Sequence, residues 1–140
     1  MIGILIVAHD HLGEGLVDAV THVLGERPPQ FDVFPVRAND DPLSLLPKAR
    51  TVVAALDTGE GVAIMSDIYG ATPCNLAAKL ASAGRVEVIA GVSLPMLVRA
   101  FTYRTKGMET FVKKAVSGGC EGVLRVEPDS IHAKARNRNR

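Results

Sequence analysis

Four short runs rich in apolar and β-branched residues, at 2–8, 31–36, 62–66 and 86–92, punctuate the first two thirds of the chain. Runs of this length read as strands. The first, third and fourth are nearly continuous in apolar residues, whereas a strand with one wet face alternates apolar and polar side chains. Continuity of that kind belongs to strands covered on both faces. A largely parallel sheet is therefore implied, with helices between its strands.

The intervening segments supply those helices. Leu12, Leu16, Val20, Val23 and Leu24 recur at helical spacing, and Gly25 offers a left-handed stop. A second helix begins at Asp40-Asp41-Pro42, a carboxylate cap before a first-turn proline, and runs towards Leu56, with Pro47 expected to kink it or delay its start. Thr72-Pro73 opens a third, predicted over 74–83 and ended by Gly84. Segments 94–103 and 108–116 read as two more, separated around Gly107. After Gly118-Gly119 comes a last strand-like run, 122–126, and then a polar, basic tail, 128–140, too poor in apolar residues to pack. The order β-α-β-α-β-α-β-α-α-β predicts a single doubly wound α/β domain over 1–127. Its sheet is mainly parallel with helices on both faces, and 2-1-3-4 is the strand order supposed for it.

Composition removes several classes of function. The 140 residues make one compact domain, and 47% of them are hydrophobic, enough for a true core. Sixteen basic against fifteen acidic side chains leave almost no net field, so neither nucleic acid nor an anionic membrane is an expected partner. Cys74 and Cys120 lie far apart and form no metal-ligand spacing, as expected of free thiols in a reducing cytoplasm. The apolar run at 2–8 is too short for a signal sequence or a bilayer span. A soluble cytoplasmic protein without metal or cofactor is expected.

In an open α/β sheet, ligands collect beyond the carboxyl ends of the strands, where strand order reverses. The first strand delivers His9 to that edge and the third delivers Asp67. In order 2-1-3-4 these strands are neighbours, so an imidazole and a carboxylate stand side by side at a strand spacing of about 4.8 Å. Such a pair suits attack by a neutral imidazole nitrogen on phosphorus: the carboxylate fixes the other ring nitrogen as donor and stabilises the cation that develops. Phosphoryl transfer needs little beyond positioning and charge stabilisation. Amides near Asp10 to Gly13 and near Thr72, together with the Thr72 hydroxyl, are candidate donors to phosphate oxygens, and Gly13, Gly15 and Gly70 permit close backbone approach.

These residues sit in three runs that together resemble one family. Ile2-Gly-Ile-Leu-Ile-Val-Ala-His9 followed by a Leu-Gly-Glu helix is similar to the start of the mannose-type enzymes IIA of the bacterial phosphoenolpyruvate-dependent sugar phosphotransferase system. Ser66-Asp67-Ile-Tyr-Gly-Ala-Thr72-Pro73-Cys-Asn75 resembles that family's Asp-x-x-Gly-x-Ser/Thr-Pro-x-Asn segment, and Val88-Ile-Ala-Gly-Val-Ser-Leu-Pro-Met96-Leu-Val its third signature. The resemblance spans roughly 1–127. It implies a phosphohistidine at His9, Asp67 as its hydrogen-bond partner, and Gly70, Ala71 and Thr72 around the phosphoryl group. The implied donor is the histidine phosphocarrier protein. The 140 residues end without a IIB sequence, so the acceptor is expected to be a separate IIB subunit or a regulatory target. The resemblance further implies a homodimer that exchanges the final strand, 122–126, which adds antiparallel to the partner's sheet. Two residues depart from the family pattern: Asp10 follows the histidine where glycine is usual, and Ile68 stands where a small polar residue is common.

Other candidates have plainer readings. His11 and His22 read as surface residues, Cys74 as a small buried one, and Lys134, Arg136, Arg138 and Arg140 as a solvated terminus. Tyr69 either docks a partner at the rim or covers the sheet edge. Pro95 and Met96, near the same rim, either pack in the core or touch a partner. Two further functions fit the residues. One is a regulatory module that reports the same phosphorylation. The other is an aspartyl-phosphate receiver on Asp67, which calls for Mg²⁺ held by acidic residues at the end of the first strand, where Asp10 alone is acidic.

Overall fold

A computed structural model describes residues 1–128, and the tail expected at 128–140 lies outside them from residue 129 onward. Strands β1 (Gly3–His9), β2 (Phe31–Val36), β3 (Val62–Ser66) and β4 (Val86–Ala90) form one parallel sheet in the order β2-β1-β3-β4. Helices α1 (Leu12–Leu24), α2 (Pro42–Leu56), α3 (Thr72–Ala78), α4 (Leu94–Tyr103) and α5 (Met108–Glu121) cover both faces, as the sequence predicts.

The two faces follow from the alternation of side chains along β1. Ile4, Ile6 and Ala8 point to one side, into a core with Val17 and Val20 of α1, Leu97 and Ala100 of α4, and Phe111 and Ala115 of α5. Leu5 and Val7 point to the other, against Ala49 and Val53 of α2 and Leu76 and Ala77 of α3. Each of the larger side chains contributes about 1.5–3 kcal/mol on full burial, which makes the central strand a rigid support for whatever ends it.

Helix boundaries reveal where local signals mislead. Gly25 ends α1 in the left-handed region (φ 90°), as predicted. The helix α2 starts at Pro42, capped by the Asp41 carboxylate, which accepts the Leu43 N–H at 3.1 Å; it runs on through Pro47, so its start is not delayed. The helix α3 stops at Ala78 and not at Ala83, because Ser82 exchanges backbone hydrogen bonds with Val86 at 2.9 and 2.8 Å. Conversely, α5 continues through Gly118-Gly119 to Glu121. Those glycines are contact points: a Cβ on Gly118 would lie 2.8 Å from Cβ of Arg99.

The strand expected at 122–126 is absent among the described residues. The segment is irregular and pairs with no strand among the described residues, and it leaves Val123, Leu124 and Val126 well exposed. Among the described residues, the outer edge of β4 has no ladder partner beyond the bridge at Val86. At the end of the sheet where the strands begin, its amino edge, the buried Arg104 donates to the carbonyls of Ile2 (2.8 and 3.1 Å), Pro29 (2.7 Å) and Gln30 (3.0 Å), and lies over the Phe101 ring. Burial lowers its pKa to about 10, still well above neutrality. The amino edge is thus sealed by structure, which leaves the carboxyl edge for chemistry.

Candidate active site

At the carboxyl edge, Val7 of β1 is in register with Ser66 of β3, so the chain emerges from the two strands side by side. His9, the last residue of β1, meets Asp67, the first residue after β3. Its ring Nδ1 lies 2.6 Å from Oδ2, and its backbone N–H donates to the same oxygen at 3.1 Å. The other carboxylate oxygen accepts the Ile68 N–H at 3.1 Å and the hydroxyl of fully buried Ser66 at 3.4 Å. Asp67 is therefore held from both sides, and only about 10% of its side chain is exposed, against 46% for His9.

Burial acts to raise the Asp67 pKa. The backbone N–H of His9, the hydrogen bond from its ring and its charge outweigh that penalty, so the carboxyl sits below its ordinary 3.8 and is ionised at neutral pH. An ionised carboxylate can only accept. Nδ1 of His9 must then carry the proton, and the lone pair is left on Nε2, the other nitrogen of a half-exposed ring. The result is an imidazole with a fixed tautomer and an open lone pair, an arrangement chemically able to act as a nucleophile.

The loop after Asp67 brings the remaining predicted residues to the same edge. Gly70 adopts φ 85°, which a glycine tolerates without strain, and turns the chain into α3. Asn75 fixes that turn through its N–H to the Ala71 carbonyl at 2.9 Å and its side-chain amide to the Gly70 carbonyl at 3.3 Å. Thr72 opens α3 with an exposed side chain. Tyr69 stands almost wholly in solvent, with Ile68 half exposed beside it.

Two expectations need correction. The Asp10 amide is not free for a phosphate oxygen, because it donates to the Val36 carbonyl at 3.0 Å. Met96 is buried against Leu97 and Ala100 in the α1-side core, so it offers no surface to a partner, whereas Pro95 is exposed. Asp10 takes φ 48°, the left-handed region that favours glycine, which gives a physical reason for glycine at this position in the family pattern; aspartate is one of the few other residues that adopt it readily. His11 and His22 are exposed, with Nδ1 of His11 3.0 Å from Glu14, and Cys74 is buried. Sequence reading missed Ser66 and the Ile68 amide as supports of Asp67, for a buried serine and a backbone donor leave no pattern in a sequence.

Comparison with known proteins agrees with this fold. A family profile described as the fructose IIA component of the PTS, the phosphotransferase system, matches residues 3–116. The mannose-specific EIIAB component of the PTS of Escherichia coli K12 is 33% identical over 139 residues, which cover 96% of this chain and 42% of that protein. The chain thus spans less than half the length of the curated relatives it matches. Among solved structures, the phosphotransferase system component EIIA of Streptococcus agalactiae superposes with a TM-score of 0.79 at 22% identity, covering 89% of this chain and 97% of that one. The mannose/sorbose-specific IIA subunit of Enterococcus faecalis gives 0.79 at 16% identity, over 90% and 95% of the two chains. At such identities the structures speak for the fold alone, while the profile extends over most of the sequence: the chain belongs to the EIIA-man family of phosphotransferase-system IIA components.

Proposed function

We propose that this protein is a phosphoryl carrier of the sugar phosphotransferase system, accepting the group on Nε2 of His9 from the histidine phosphocarrier protein and passing it to a IIB subunit. The observation that carries the reading is the 2.6 Å contact between Nδ1 of His9 and an ionised Asp67 at the reversal point of the sheet. In the forward step the Nε2 lone pair forms the N–P bond while the P–N bond of the donor's phosphohistidine breaks, its electron pair returning to the donor ring. The Nδ1 proton stays shared with Asp67, which offsets the positive charge of the substituted imidazole. Amides of Gly70 and Ala71 and the hydroxyl of Thr72 are the donors proposed for the phosphoryl oxygens. Tyr69 and Pro95, both exposed, are proposed to touch the docking proteins.

The same reading includes a cytoplasmic homodimer. Its support is the pairing of two unsatisfied features: an open β4 edge and an exposed, apolar 122–126 segment that a second copy can lay along it. An aspartyl-phosphate role is disfavoured by the occupancy of Asp67, both of whose oxygens are engaged by donors.

Incubation with phosphoenolpyruvate, enzyme I and the histidine phosphocarrier protein should add one acid-labile phosphate per chain, and His9→Ala should abolish it. Normal labelling of the alanine variant refutes the assignment.

A further inference from the structure

The four loops that leave the strands at the carboxyl edge (residues 10–11, 37–41, 67–71 and 91–93) hold Asp10, Asp40, Asp41 and Asp67 but a single Lys or Arg, Arg37. Three of those carboxylates have structural work in this fold. Asp67 accepts from His9, Asp41 caps α2, and Asp40 accepts the backbone N–H of Arg37 itself at 2.8 Å. Asp10 has no ion pair among the described residues, and neither does the exposed guanidinium of Arg37.

Their placement is set by the sheet. Val36 is in register with His9, and the Asp10 N–H to Val36 carbonyl bond keeps the two chains together one step beyond the ladder. Arg37 therefore leaves β2 beside the nucleophile, on the flank opposite Asp67. Strands lie about 4.8 Å apart, less than the length of an extended arginine side chain. Its backbone is pinned by a tight turn, in which the Asp40 N–H donates to the Arg37 carbonyl at 3.0 Å, while its head group has no ion pair among the described residues.

We infer that Arg37 is a catalytic residue of the phosphoryl step, its guanidinium pairing with the phosphoryl oxygens as the group arrives on Nε2 of His9. This rests on the reading of His9 as the phosphoryl acceptor. A dianion arriving next to Asp10 meets a like charge, and Arg37 is the cation placed to offset it. A planar guanidinium also matches two phosphoryl oxygens at once, which a lysine does not. Asp10 and Arg37 then act as a pair in which the carboxylate disfavours retention of the phosphoryl group and the guanidinium favours its arrival.

The test uses two donors: the phosphorylated histidine phosphocarrier protein, and phosphoramidate, a small N-phosphoryl compound that needs no docking surface. Initial rates of His9 labelling are compared for wild type, Arg37→Gln, Arg37→Lys and the double variant Arg37→Gln with Asp10→Gly. Arg37→Gln should slow labelling about 10- to 100-fold with both donors, in line with loss of a hydrogen bond between charged partners. Arg37→Lys should fall between, and adding Asp10→Gly should restore part of the lost rate. Slowing with the protein donor alone makes Arg37 a docking residue and overturns the inference, as does an unchanged rate with both. If the wild type is labelled by neither donor, or His9→Ala is labelled by either, the phosphocarrier reading itself falls.

Discussion

Replacing Asp67 by asparagine preserves shape and tests the role of charge at the site. In the wild type the carboxylate acts four times as an acceptor: Oδ2 receives the ring and backbone donors of His9, and Oδ1 receives the Ile68 N–H and the Ser66 hydroxyl. Asparagine has one acceptor oxygen and one donor group, so it cannot serve both sides. With its oxygen towards His9, its NH₂ faces the Ile68 N–H and leaves that donor unsatisfied. Flipped, its NH₂ faces Nδ1, which must then accept, and the ring proton moves to Nε2 and blocks the attacking lone pair. Either way a charge-assisted bond of about 1.5–3 kcal/mol is lost where positive charge develops. At about 1.4 kcal/mol per factor of ten, phosphorylation of His9 should slow about 10- to 150-fold. Rapid-quench labelling with the phosphocarrier protein measures the rate, and ¹⁵N NMR of the His9 ring reads the tautomer. Wild-type rates in the asparagine variant, with the Nδ1–H tautomer kept, would refute the claim that the carboxylate sets the nucleophile.

Arg104→Met should lower stability by about 3 kcal/mol in urea unfolding, since the bonds to the carbonyls of Ile2, Pro29 and Gln30 all end on this one side chain; a loss under 1 kcal/mol would mean that water replaces it. Asp57 accepts the Gly59 N–H at 2.9 Å, the Gly61 N–H at 3.1 Å and Arg85 at 2.8 Å, and the Gly59 bond, with Gly61 and Arg85, holds its pKa below 3.8 against the opposing effect of burial. A folded pKa below the unfolded one gives stability that is present above about pH 3.8 and lost as pH falls through the folded value, so Asp57→Ala should cost about 1–3 kcal/mol at pH 7 and progressively less below pH 3.8. Leu124→Asp should shift the proposed dimer towards monomer in sedimentation velocity without altering the circular dichroism of the fold, because that side chain is exposed in the single chain.

The strands were legible because burial on both faces leaves a continuous apolar record, which β1 carries up to Ala8 and β3 up to Met65. Glycines were legible only in part. Gly25 terminates α1 through its own backbone freedom, a local property, whereas Gly118 and Gly119 lie inside α5 because Arg99 and Met96 of a different helix need the room. A glycine reads the same in both settings, and the partner that separates them lies some twenty residues away in sequence. Arg104 escaped notice for a related reason: the carbonyls it binds come from the start of β1 and the loop before β2, and no local pattern links these to a residue past α4.

The site divides along the same line. His9 and Asp67 were recoverable because one ends β1 and the other directly follows β3, and strand order alone brings the two together. What the sheet does not dictate stayed hidden, including which of Pro95 and Met96 faces outward and whether the Asp10 amide is free. Asp10 shows why such details matter for function. Its left-handed backbone is a conformation in which glycine is the easier choice, so a carboxylate there is sustained at a small conformational cost, and it stands next to the proposed place of an incoming dianion. Stability gives no reason to keep it. A reason follows if the charge acts together with Arg37 across the crest of β1 and β2. Asp10→Gly alone should then leave the fold at least as stable and prolong the half-life of the phosphorylated protein towards transfer, while an unchanged half-life would leave Asp10 without a part in the chemistry.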